Sequence, residues 1–366
     1  MLGSARSTKA PVHDGGLRLG YACVNTGLPS SARTVRLENA TPARLRELIA
    51  ANLDALEAIL GWNEQHGIEV FRVTSNLIPF GSHPVNGLAW WEEYARRFGQ
   101  IAGLVRRSRA RLSTHPGQYT VLSSTRPEVV EASVAELEYQ NRLLDSFGSD
   151  ASHKIVVHVG SVERFETGFA RLSDGARSRL VVENDERTAL DQVLRLAERI
   201  GVPVVLDVFH HRLTPSLDGL STRELVLRTA ETWKKVDGRQ KIHFSTQAAG
   251  KRPGAHAQTV DLDAFAELVD EVGDLPLDCM LEVKDKEQSV LRAMEFQRSV
   301  SRAQSSRTAS SARRSEVVGA LERSASVPPS RRATRETASA RRSAPGSSDP
   351  TWVCSKPLST SGGRSS

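Results

Sequence analysis

The sequence predicts an eightfold α/β barrel, a TIM-type (β/α)8 fold, followed by a polar basic tail. Three observations carry that prediction. Eight short apolar runs recur between residues 18 and 284, separated by stretches with apolar residues three and four apart, the signature of alternating strands and amphipathic helices. The eight units occupy about 280 residues, the size of such a barrel. An open doubly wound sheet would want a Gly-rich phosphate loop after its first strand, and "ACVNTGLPSS" is not one.

Residues 1–16 are polar without periodicity and are expected to form a flexible N-terminus. Strands are expected at 18–24 (RLGYACV), 68–75 (IEVFRVTS), 109–115 (RARLSTH), 154–160 (KIVVHVG), 179–185 (RLVVEND), 203–210 (PVVLDVFH), 241–246 (KIHFST) and 278–284 (DCMLEVK). Between them the helical spacing is clearest at 42–60, where Leu45, Leu48, Ile49, Leu53, Leu56, Ile59 and Leu60 share a face. Thr41-Pro42 supplies the cap and first residue. Further helices are expected at 89–107, 128–147, 188–200, 222–236 and 261–271. The barrel domain is therefore read as 17–296, and residues 297–366, with 19 serines and almost no apolar periodicity, as a disordered Ser/Arg-rich tail.

Charge is unevenly spread. The tail holds 13 Lys+Arg against 4 Asp+Glu, so the chain's net +6 leaves residues 1–296 at −3. A nucleic-acid surface on the body must then come from local patches rather than net charge. Cys23, Cys279 and Cys354 form no CxxC pair, which fits a reducing compartment and argues against a disulfide framework or thiolate zinc site. No apolar run approaches a membrane span.

In such a barrel chemistry sits where strands end and loops begin. Polar residues cluster at those points: His83 after strand two, His115 at the end of strand three, His158 in "VVHVG", Glu183 in "VVEND", Asp207 and His210 in "VLDVFHH", His243 in "KIHF", His256 in the next loop, and Glu282 in "MLEVK". Singly, each reads most simply as a hydrogen-bonded cap or an ion-pair partner. Nine ionisable groups in one apolar-walled funnel are costly unless something pairs them. Imidazoles and carboxylates without thiolates suit Mn²⁺, Mg²⁺ or Zn²⁺. Nine donors exceed one ion's need, so two or three ions are expected, with Glu183 and Glu282 able to bridge them. Such sites suit in-line displacement at phosphorus.

Taken in order, "GYACVN", "LIPFGSHP", "HPGQY", "VVHVG", "VVENDER", "LDVFHH" and "KIHFST" resemble the UV damage endonuclease family over roughly residues 18–296. That resemblance implies a barrel nuclease related to the endonuclease IV type, with three divalent ions, commonly manganese. It implies a nick immediately 5′ to cyclobutane pyrimidine dimers and 6-4 photoproducts in double-stranded DNA, and some cutting at abasic sites. Carried over to this chain, it makes His83, His115, His158, Glu183, Asp207, His210, His243, His256 and Glu282 the metal ligands, and Glu183, Lys241 and Glu282 the catalytic residues. Lys241, two residues before His243, would contact the scissile phosphate or, if carboxylated, a metal; a surface lysine at a strand start is the plain alternative. Gln118 and Tyr119 would probe the lesion, with Tyr21 and Asn25 as a second pair on the same rim, whereas His211 is read as structural. A monomer is expected, and the cysteine usage points to a cytoplasmic protein, associated with the nucleoid.

Only 24 residues separate His158 from Glu183, shorter than the family's usual form, so a short fourth helix and a clipped loop are expected. The rival functions are an abasic-site endonuclease, a metal-dependent sugar isomerase and a non-catalytic damage-binding protein.

Overall fold

The computed structural model of the protein describes residues 16–302, so the expected flexible N-terminus (Gly16 apart) and the tail beyond Arg302 lie outside the described residues. In chain order the elements are β1 (Leu17–Cys23), α1 (Pro42–His66), β2 (Val70–Val73), α2 (Trp90–Glu93), α3 (Ala95–Ser108), β3 (Arg111–Thr114), α4 (Pro127–Ser146), β4 (Lys154–His158), α5 (Val162–Phe169), α6 (Asp174–Arg179), β5 (Leu180–Glu183), α7 (Leu190–Ile200), β6 (Val204–Asp207), α8 (Val208–Leu213), α9 (Thr222–Ala230), β7 (Gln240–Phe244), α10 (Leu262–Val272) and β8 (Leu277–Leu281). A last helix, α11, spans 287–302 and so runs past the expected boundary at 297. The eight strands pair in sequence order into one closed parallel barrel, β8 returning to β1 with Leu17 opposite Leu277.

Alternation along each strand sends one set of side chains to the helices and the other into the barrel. Leu112, Ile155, Val157, Val182, Leu206, Ile242 and Leu281 belong to the outer core, with Leu45, Ile49 and Leu53 of α1 and Val193 and Leu196 of α7. The inward set is layered. In the middle, Ala22, Val70 and Met280 form one small apolar cluster, and Val156, Val181 and Val205 another. Gly20 shares the inward parity of Ala22; a Cβ there would fall 2.2 Å from the Val70 carbonyl oxygen, so β1 and β2 approach this closely only with glycine. At the N-terminal end of the barrel, Asp278 accepts from Arg18 at 2.7 Å and Arg111 at 2.6 Å, and Lys154 donates to Asp237 at 2.5 Å. At the C-terminal end the same inward columns finish in Arg72, His158, Glu183, Asp207 and His243.

Several expected boundaries shift for local reasons. Helix α1 continues to His66, where Gly67 at φ 70° closes it. The helix expected over 89–107 breaks at Tyr94, whose hydroxyl donates to the Arg46 carbonyl. The helix expected over 222–236 stops at Ala230, and a 3-10 turn, Lys235–Asp237, leads to β7. The short segment before β5 holds two short helices, α5 and α6, rather than one. Strand six ends at Asp207, so His210 lies on α8; Asp207 Oδ1 caps that helix by accepting from the His210 N–H at 2.7 Å.

Candidate metal centre

Glu183 is the hub. It is 1% exposed at the end of β5, and its two oxygens face different partners. Oε2 lies 3.2 Å from His115 Nε2 and 3.5 Å from His158 Nε2, and those two nitrogens are 3.1 Å apart. Oε1 contacts His243 Nδ1, which in turn lies 3.3 Å from Glu282 Oε1. Two donor groups result: His115, His158 and Glu183 form one, and Glu183, Asp207 and His243 the other, each with its ligand atoms within 4.8 Å of one another. On the far side, His256 Nε2 lies 3.8 Å from Glu282 Oε2, and the rings of His210 and His256 are 5.4 Å apart.

The donor set fits divalent cations on two counts. Its chemistry is imidazole and carboxylate, the match for hard or borderline ions. It also leaves buried polar atoms without a hydrogen-bond partner among the described residues: Asp207 Oδ2 and His210 Nδ1 sit 3.4 Å apart without hydrogen-bond alignment, and His256 Nδ1 makes no hydrogen bond either. Buried polar atoms are seldom left so.

The electrostatics agree. Burial opposes ionisation of Glu183, but the neighbouring imidazoles of His243, His115 and His158 override it and hold the carboxyl well below the usual range. Glu282 is also buried, and Arg72 and His243 depress it. Burial disfavours a charge on His158, yet the Asp185 hydrogen bond and the Glu183 field raise it to about 9. His210 rises to about 9 against the same burial, through Asp207 and then Glu183 and Glu282. The carboxylates thus recruit positive charge.

Two members of this constellation escape a reading of strand-end histidines and carboxylates. Asp185 Oδ2 accepts from His158 Nδ1 at 2.9 Å, while its Oδ1 is pinned by the backbone N–H groups of Arg187 and Thr188. This is the usual carboxylate support that fixes a ligating imidazole. Arg72, 6% exposed, places Nη2 against Glu282 and 3.0 Å from His243 Nε2. The "VVENDER" string already contained Asp185, and Arg72 has the parity of Val70, so strand alternation would have found it.

The remaining expected residues are placed variously. His83 is exposed on the β2–α2 loop, where Nδ1 accepts from the Val85 N–H at 3.1 Å; no described contact joins it to the cluster. Lys241 is fully buried inside the barrel, where Nζ donates to Ser113 Oγ at 2.9 Å, so it is no surface lysine. Burial, and then the charge of Arg111, push its ammonium well below the usual lysine range. Gln118 and Tyr119 stand exposed beyond His115, Tyr119 at 84%. Tyr21 and Asn25 are 0% and 3% exposed. Tyr21 packs edge-on against Phe71, and its hydroxyl donates to Asn63 of α1 at 2.7 Å and accepts from Asn25. Its parity turns it toward the helices, so this pair offers DNA no surface, contrary to the expectation for it. His211 lies beside the cluster residue His210 but is not joined to it by any described contact.

A closed parallel barrel with imidazoles and carboxylates gathered at the C-terminal ends of its strands defines a class of barrel proteins whose rim could hold cations. Within it, the chain belongs to the UV-endonuclease UvdE family, whose model matches residues 17–310. It is 35% identical to the UV DNA damage endonuclease of Clostridium perfringens, over 76% of this chain and 70% of that protein. It is 32% identical to the UV-damage endonuclease of Schizosaccharomyces pombe, over 75% of this chain and 49% of that protein. The crystal structure of SacUVDE superposes with a TM-score of 0.73 at 37% identity, covering 78% of this chain and 99% of that one. Endonuclease IV from Thermus thermophilus, at 17% identity and a TM-score of 0.50, shares the fold.

Proposed function

We propose that the protein is a DNA repair endonuclease that nicks the phosphodiester immediately 5′ to cyclobutane pyrimidine dimers and 6-4 photoproducts. The observation that carries this reading is the sharing of Glu183 between two adjacent donor groups, because paired cation sites are the arrangement that serves in-line displacement at a phosphodiester. Up to three divalent ions, manganese first among them and Mg²⁺ or Zn²⁺ as alternatives, would neutralise phosphate charge there and favour ionisation of an attacking water.

The chain's own residues do the positioning. Glu183 sets the spacing of the two groups through its two oxygens, Asp185 fixes the ring of His158, and Arg72 holds Glu282. Lys241, fully buried beside Ser113 where burial disfavours a charged ammonium, suits carboxylation better than direct contact with a phosphate as a charged group. Gln118 and Tyr119, exposed beyond the donors, would enter the helix where damaged bases leave it, since an aromatic face there recovers stacking.

The test is nicking of irradiated and unirradiated supercoiled plasmid with Mn²⁺ and with EDTA, then mapping of the cut on a duplex with one defined dimer. Cutting of irradiated DNA only, dependent on the ion, and 5′ to the dimer is the expected result. No cutting of irradiated DNA with any divalent ion overturns the reading. Cutting of abasic but not dimer-containing duplex replaces it with an abasic-site endonuclease.

A further inference from the structure

The loop between β7 and α10 is a built hairpin. Gln247 and His256 form an antiparallel bridge, flanked by Ala248 N–H to Ala255 O at 2.7 Å and Ala257 N–H to Thr246 O at 2.9 Å. The Gln247 side chain latches the turn: Nε2 donates to the Arg252 carbonyl at 2.9 Å and Oε1 accepts from the Gly254 N–H at 3.0 Å. One arm delivers His256 to the donor cluster; the tip displays Lys251 and Arg252, both exposed. The hairpin is docked on the loop after β8, since Lys284 N–H donates to Ala257 O at 3.2 Å and Asp285 N–H to Gln258 O at 3.0 Å.

That second loop carries Lys284, exposed, and Lys286, whose φ of 52° puts a non-glycine residue in the left-handed region. Both flanks of Lys286 are clamped: Glu287 accepts from the Thr26 N–H at 2.9 Å, and Asp285 is held by Ser289 and Arg292. A sparsely populated conformation survives only where its surroundings over-determine it, and such outliers gather at functional sites. Among the described residues, the side chains of Lys251, Arg252, Lys284 and Lys286 make no hydrogen bond or ion pair. Some exposed arginines of the outer helices are paired within the chain, Arg44 with Glu47, Arg195 with Asp191 and Arg228 with Glu231; Arg96, Arg106 and Arg107 are not paired among the described residues, but they lie on helix α3 and not on the loops that carry donor residues. Four cations on two interlocked rigid loops, bracketing His256 and Glu282, are left for a partner bearing regularly spaced negative charge.

We infer that the 246–257 hairpin and the 284–286 loop form a ledge that binds the backbone phosphates of duplex DNA beside the donor cluster, through Lys251, Arg252, Lys284 and Lys286. The inference rests on the nuclease reading and adds the face along which the duplex lies. A ledge of this kind fixes register without reading sequence.

The experiment measures binding of the full chain to a fluorescent undamaged duplex in EDTA across a salt series. The variants are Lys251→Ala/Arg252→Ala, Lys284→Ala and Lys286→Ala. Each lost phosphate contact should flatten the slope of log affinity against log salt by about 0.9. Lys286→Arg should restore its share, and Arg195→Ala, on the outer helix α7, should leave the slope alone. Lys286→Gly removes the charge while relaxing the backbone, so a flattened slope there cannot be ascribed to misfolding. Wild-type slopes in all the ledge variants overturn the ledge, and do so while leaving the nuclease reading intact if the plasmid is still nicked. Wild-type protein with no affinity for duplex and no nicking overturns both.

Discussion

The two ends of the barrel interior handle buried charge in opposite ways. At the N-terminal end, Asp278 is fully buried but surrounded by Arg18, Arg111 and Arg239, and Lys154 has Asp237. Charges there are closed on one another. At the C-terminal end, four carboxylates and five imidazoles crowd together with Arg72 as the permanent cation in contact with them, and Asp207 Oδ2, His210 Nδ1 and His256 Nδ1 have no hydrogen-bond partner among the described residues. One network pairs each buried acid with a permanent cation of the chain; the other gathers imidazoles and carboxylates that could take cations from outside. The same inward columns of the same strands build both, so the difference lies in side-chain choice at the strand ends and not in the scaffold.

The largest effect that would break this comparison is at the open end. Glu183→Gln keeps the shape, removes the shared charge and should lower the nicking rate about 10³-fold, the loss of several kcal/mol of transition-state stabilisation. It should also reduce the divalent ion retained per chain, measured by elemental analysis, with the fold intact by circular dichroism. Normal nicking with manganese would remove Glu183 from the site. At the closed end, Asp278→Asn leaves buried guanidinium groups uncompensated and should cost about 3–5 kcal/mol of stability. Nicking per folded molecule should persist, because no described contact joins Asp278 to the donor cluster. A change under about 1 kcal/mol in urea unfolding would show that the closed network contributes little.

The open end should also respond to pH in a way the closed end does not. His158 and His210 have folded values of about 9, above the usual value near 6.5. A raised folded value adds stability that is fully present below about pH 6.5 and is lost as pH rises through about 9. Metal-depleted protein should therefore melt at progressively lower temperature across that window. Because ligation needs neutral imidazole, divalent ions should offset the loss and release protons as they bind. A melting temperature independent of pH between 6.5 and 9 after chelation would sink the assignment.

Much of this was legible from residues alone. Period-two runs give the strands, and the end of each run gives His115, His158, Glu183, Asp207 and His243, since a closed barrel aims every strand end at one rim. Parity was harder. Gly20 and Ala22 are small because they face the crowded barrel interior, which forces Tyr21 outward to Phe71 and Asn63; a large residue between two small ones was the available signal. His210 reads as a strand residue because Asp207 ends a strand-like run and is at the same time the cap of a helix. Asp185 and Arg72 act through other side chains: inward parity marks Arg72 and the "VVENDER" string contains Asp185, but which side chain each one holds is a long-range pairing that local spacing does not show.

The smallest effect sharpens the contrast from the side of the substrate. Tyr119 is 84% exposed on a loop that begins at the donor residue His115, with no packing partner among the described residues. A large aromatic ring left in water contributes nothing to the fold, so Tyr119→Ala should leave the melting temperature unchanged. If the ring fills the gap beside extruded bases, its loss should weaken binding to dimer-containing duplex by roughly 1–3 kcal/mol, the worth of one stacked base, and leave undamaged duplex nearly unaffected. Damaged DNA, where extrusion is cheaper, is where the ring finds room, so the ratio of the two affinities is the quantity to measure. A variant with that ratio intact would mean that discrimination resides elsewhere, and Gln118, the exposed neighbour, would be the next substitution.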